Sequence, residues 1–126
     1  MNIQKIIIQN YIEAYNSFDI EKMLENFDSA VIFENISGGV SNMRLEGIEA
    51  LKEQANQAKN YFETRKQTII AWNIIDNTVE IELLYEATLA MDFPNGFKKG
   101  DKLNLSGKSI FKFTEENKIL SLTDIS

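Results

Sequence analysis

The chain has no histidine and no cysteine. That removes the commonest general base, the commonest metal ligand and every thiol nucleophile. Any catalysis must rest on carboxylates, phenols, amines, guanidines or hydroxyls, and no cofactor or metal site is expected. One acidic side chain, Asp124, falls on an apolar face. If the turn over Thr114 to Asn117 pairs Phe113 with Lys118, then Phe111 faces Leu120, Ser109 faces Leu122 and Gly107 faces Asp124. The carboxyl then points inward with no side chain opposite it, leaving room for a ligand. Desolvation there should raise its pKa toward what an acid/base needs at neutral pH. The plainer alternative is a solvated Asp124, or one paired with Arg44 or Arg65. Tyr11 and Tyr15, on one helical stripe, would aim hydroxyls at the same space, Tyr11 in preference. Trp72, Tyr85 and Met91 read as wall first and ligand contacts second. Glu80, Glu82 and Glu86 alternate on the opposite, solvent-facing side and do not read as a metal site.

These residues depend on a long hairpin. Lys66 to Ile75 and Thr78 to Met91 are strand-like runs hinged on Asp76-Asn77, a pair that tolerates the positive φ of a two-residue turn. That turn pairs Ile74 with Val79, Trp72 with Ile81, Ile70 with Leu83 and Thr68 with Tyr85. All eight side chains then share the inner face, and a one-residue slip would mix it with the charged face.

The rest of the chain supplies helices and further strands. Ile3, Ile7, Tyr11, Ala14, Tyr15 and Phe18 make an amphipathic stripe, so residues 2 to 16 should be helical. Asp19 is placed to cap a second, short helix through Met23, Leu24 and Phe27. Ala30 to Ile36 reads as a strand, Gly38 to Leu45 as a mobile loop, and Glu46-Gly47 opens a third helix through Ile48, Leu51, Ala55, Ala58 and Phe62. Leu103 to Phe113 and Ile119 to Ile125 are the last two strands. Helices gathered on one side of a bent antiparallel sheet make an α+β domain enclosing a cone-shaped cavity, with one domain over 1–126. Hydrophobic residues at 44% and charged residues at 25% are ordinary for a water-exposed globular protein. No stretch approaches a membrane span, and the first residues lack a signal-peptide cleavage pattern, so a cytoplasmic location is the expectation. A net charge of −6 without a basic stripe argues against nucleic acid.

The order of elements resembles the nuclear transport factor 2-like superfamily, which includes ketosteroid isomerases and SnoaL-like polyketide cyclases. The likeness is carried by NYIEAYNSFDIEKMLENFDSAVIFEN, EGIEALKE and SIFKFTEENKILSLTDIS. It implies three helices across the concave face of a curved sheet, and a small apolar organic ligand in the cone. Tyr11 resembles the isomerases' oxyanion-binding tyrosine, whereas Asn35 stands where they place the aspartate base and Ser109 where they place a protonated aspartate. Asp124 resembles the acid/base aspartate in the final strand of the cyclases. The expected function is a small-molecule-binding domain, as a cofactor-free isomerase, cyclase or lyase using Asp124 and Tyr11, with Tyr15, Asn35, Trp72, Tyr85 and Ser109 around the ligand. The alternative is a noncatalytic binding or dimerisation module of the same fold. A homodimer through the outer sheet face, carrying Ile69, Ala71, Leu84 and Ile110 beside Ile119 and Ile125, is also expected.

Overall fold

The computed structural model describes residues 2–126. Helices α1 (Ile3–Asn16), α2 (Ile20–Leu24) and α3 (Ile48–Ala58) accompany strands β1 (Phe27–Ser37), β2 (Val40–Glu46), β3 (Phe62–Ile75), β4 (Thr78–Leu89), β5 (Lys102–Phe113) and β6 (Ile119–Ile125). The strands form one sheet in the order β2-β1-β6-β5-β4-β3. It curves without closing, giving the expected α+β cone. Every neighbouring pair is antiparallel except β1 with β6, where the last strand comes to lie parallel beside the first.

Local chemistry sets the helix ends. Asn2 caps α1 by accepting from the Lys5 amide, and Asp19 caps α2 by accepting from Lys22. Between them Phe18 takes a φ of 59° and the Asp19 amide reaches back to the Ala14 carbonyl at 2.9 Å, closing α1 tightly. The helices bury Ile7, Ile8, Tyr11, Ile12, Leu51 and Ala55 against Val79, Ile81, Phe111, Phe113, Ile119 and Leu122 of the sheet. Each such aliphatic or aromatic side chain is worth ~1.5–3 kcal/mol when fully buried, so the core sits between helices and concave face.

Three expectations about register and elements are corrected. First, the 38–45 segment is not a loop: Gly38 and Gly39, at φ 59° and 79°, make a tight turn, and β2 runs back along β1. Its mostly exposed side chains hide the alternation, since only Met43 and Leu45 turn inward. Second, β3 and β4 pair as expected from Ile75/Thr78 to Trp72/Ile81, but a bulge at Ile70 then shifts the ladder, so that Ile69 pairs with Leu83 and Gln67 with Tyr85. Ile69, Gln67 and Arg65 therefore face inward, while Ile70 is 56% exposed on the outside. Third, Phe113 pairs with Ile119, an irregularity absorbs Leu120, and Ser109 comes opposite Asp124. The two one-residue displacements add to two and preserve the face, so Asp124 stays inside although its partner changes. Ile119 is fully buried and Leu120 is 43% exposed, the reverse of the expected assignment.

Candidate functional site

A cavity of about 280 Å³ opens on the concave face between α1 and strands β1 and β3 to β6. Cross-strand registers lay out its floor. Asn35, Asp124, Ser109 and Ile81 form one row across β1, β6, β5 and β4, Gly107 lies beside Leu83 in the next, and Leu105, Tyr85 and Gln67 form the row toward the mouth. Tyr15 covers this floor from α1.

Asp124 is partly buried, and the Ser109 hydroxyl donates to its Oδ1 at 2.6 Å. Burial pushes its carboxyl up from 3.8 to about 6, opposed by the Ser109 hydrogen bond. Oδ2 makes no hydrogen bond among the described residues. Gly107 does not make room beside Asp124. A Cβ there would lie 2.6 Å from the Ile125 carbonyl oxygen, so the glycine admits the close passage of β6 itself.

The structure brings Tyr15, Asn35, Tyr85, Ser109 and Asp124 to this one cavity. Tyr11 and Trp72 lie outside its lining. Tyr11 is packed in the core with its ring 5.5 Å from Phe27 and 5.8 Å from Phe111, and burial, then the Asp124 charge, raises its pKa well above the ordinary tyrosine value. Trp72 packs near the start of α1, where Lys5 Nζ sits 4.9 Å from its ring. Asn35 directs its Nδ2 to Asn42 Oδ1 at 2.9 Å rather than to Asp124. Arg44 pairs with exposed Glu46 on β2, and neither it nor Arg65 forms an ion pair with Asp124 among the described residues.

The Tyr15 and Tyr85 hydroxyls share a hydrogen bond at 3.0 Å. Burial raises both pKa values, opposed for each by the nearby Arg65 guanidinium. Sequence reading missed Gln67 and Arg65 as inward residues. The adjacent Ile69-Ile70 doublet, where strict alternation fails, is the signal that marks the bulge turning them in. No cluster of three or more acidic side chains suited to a metal ion occurs among the described residues.

Residues 8–122 match the family model of the SnoaL-like domain. The chain belongs to the SnoaL-like family. No curated protein matches its sequence. Among solved structures, this SnoaL-like chain is similar to a candidate polyketide cyclase from Xanthomonas campestris pv. campestris, with a TM-score of 0.83 and 18% identity over 98% of this chain and 89% of that one. It is similar also to SalBIII, an epoxide hydrolase/cyclase-like enzyme described in pyran ring formation in the polyether salinomycin, with a TM-score of 0.78 and 22% identity over 97% and 88% of the two chains. A third likeness, to an NTF2-like protein of unknown function from Burkholderia pseudomallei, has a TM-score of 0.79 and 12% identity over 98% and 90%. At these identities the likenesses establish the SnoaL-like fold, and with it the ketosteroid isomerase-like and cystatin-like architecture seen in other neighbours.

Proposed function

We propose that this SnoaL-like chain binds a small, largely apolar organic molecule in its cone and moves a proton on it, as a cofactor-free isomerase, cyclase or lyase. The observation that carries this reading is the Asp124 carboxyl, which lines the cavity with one oxygen fixed by Ser109 and the other without a hydrogen bond among the described residues. A carboxyl raised to about 6 exchanges its proton readily near neutral pH, so the same group serves as base in one half of a transfer and acid in the other. The candidate cyclase and SalBIII among its structural likenesses support ring-forming or ring-opening chemistry.

Incubating the protein in D₂O with small ketones and epoxides, and following C–H exchange or ring opening by NMR, tests it. Wild type should turn over at least one compound, with the rate falling ~10²–10⁴-fold in Asp124→Asn. Binding without exchange in either protein would favour the noncatalytic module, a reading supported by Asn35, an amide that cannot act as a base and is already tied to Asn42. We further propose that two copies associate through the outer sheet face, now read as Ile70, Leu84 and Ile110 because Ile69 and Ile119 turn inward.

A further inference from the structure

Arg65 is 4% exposed, and its side chain makes no ion pair with a carboxylate among the described residues. It is held instead by the Tyr15 carbonyl, to which Nε donates at 2.9 Å, by Met23 Sδ at 3.8 Å from Nη2, and by two aromatic faces, Tyr15 at 3.7 Å and Phe18 at 4.5 Å. Burying a guanidinium without an anion is costly, and a Leu or Met would fill the same space without that cost. The charge therefore has a use that packing alone does not supply. A bulge in β3 turns this residue inward, and the ring it stacks on belongs to one of the two hydroxyls at the cavity wall.

The geometry points to Arg65 as a positioning residue for a hydroxyl relay that runs from Arg65 through Tyr15 to Tyr85 and ends on an acceptor oxygen of the ligand. The inference rests on the reading that the cavity binds a small molecule, and adds that the ligand presents a carbonyl-type oxygen to Tyr85. The two hydroxyls carry two protons and spend one on each other. The relay requires Tyr15 to donate to Tyr85, a direction that the cation beneath Tyr15 favours by making that hydroxyl the stronger acid, and the Tyr85 proton is then left over. Hydrogen bonds in such a chain polarise one another, which makes the terminal donor stronger than an isolated tyrosine. Tyr85 sits in the row nearest the mouth, beside Gln67 and Leu105, where a ligand meets it directly. Gln67 Oε1, a buried acceptor of that row, has no hydrogen-bond partner among the described residues, so it takes no proton from the pair.

The probes are acetophenone and α-methylstyrene, which share a shape and differ by a carbonyl oxygen against a methylene. Dissociation constants are measured by ligand-observed NMR, and the ketone's C=O stretch by infrared difference spectroscopy. Wild type should favour acetophenone by roughly tenfold, as one charge-polarised hydrogen bond allows, and shift the stretch to lower frequency. Tyr85→Phe should abolish both effects. Tyr15→Phe and Arg65→Met, which removes the cation, should reduce the frequency shift while acetophenone still binds. Arg65→Lys, which keeps the charge, should retain more of the shift than Tyr15→Phe, and this comparison stands if Arg65→Met fails to fold. Equal binding of the two probes to wild type would overturn the relay and leave the cavity reading standing. Binding of neither would overturn both. A shift that survives Tyr85→Phe, or an undiminished one in Tyr15→Phe or in Arg65→Met, would also overturn the relay.

Discussion

At the scale of single residues, Asp124 carries a cost that its hydrogen bond only partly offsets. Its folded pKa of about 6 lies above the ordinary 3.8 because burial penalises the charged form. Below the ordinary value both folded and unfolded chains hold the proton. Between it and the folded value the unfolded chain has released a proton that the folded chain keeps, so stability falls as pH rises through that window. The loss levels off above the folded value and amounts to at most ~3 kcal/mol, at ~1.4 kcal/mol for each pH unit. Asp124→Asn retains an acceptor for Ser109 and removes the ionisation. Urea denaturation at a series of pH values should therefore show wild type losing stability from mildly acidic to neutral pH, while the variant loses less and is the more stable above neutrality. A variant that tracks wild type across the whole range would mean that Asp124 titrates as a solvated carboxyl.

At the scale of elements, β3 is the edge strand whose placement decides which residues meet the cavity. Its free edge is occupied at Gln67 by the Asn16 side chain, which accepts from the Gln67 amide at 2.7 Å and donates to the Gln67 carbonyl at 3.1 Å. The end of α1 thereby stands in for a neighbouring strand, and the edge is blunted. Asn16→Ala should cost ~1–3 kcal/mol in denaturation, and native-state hydrogen exchange at the Gln67 amide should accelerate while the β4 and β5 amides remain protected. Exchange unchanged at Gln67 would show the clamp to be idle. Much of this scaffold was legible in the sequence: the three helices and the later strands follow from hydrophobic period, and Trp72 opposite Ile81 follows from the Asp76-Asn77 turn. What was not legible depends on single inserted residues. Ile70 and Leu120 each displace a ladder by one position, and a pairing scheme built on strict alternation has no place for them. Asp124 survived because its two displacements cancel on the face, whereas Arg65 and Gln67 did not because β3 has only one such displacement before them. β2 was hidden because an edge strand with most side chains in solvent shows little alternation, although Ser37-Gly38-Gly39-Val40 carries the turn signal of a hairpin.

At the scale of the whole molecule, the outer sheet face combines apolar side chains with charges arranged in opposite-sign neighbours. Leu84 is 46% and Ile70 56% exposed there, with Ile110 partly exposed. Glu86 stands opposite Lys66 and Glu82 opposite Lys108, and Lys108 Nζ also approaches Glu80 Oε1 at 3.9 Å. The acidic row of β4 is thus locally compensated by lysines of β3 and β5, so two such faces would meet without stacking bare carboxylates. The overall charge of −6 still repels a second copy, but exposed charges are screened beyond roughly 8 Å at physiological salt. In the proposed self-association the apolar strip would supply affinity and the flanking paired charges would set orientation. Sedimentation velocity at micromolar concentration should show a dimer whose affinity rises modestly with added salt, as long-range repulsion is screened. Leu84→Lys should shift it to monomer without lowering thermal stability, because that side chain is not part of the core. A wild type that remains monomeric across the concentration series, or a Leu84→Lys variant that dimerises as wild type does, would place the association elsewhere or remove it.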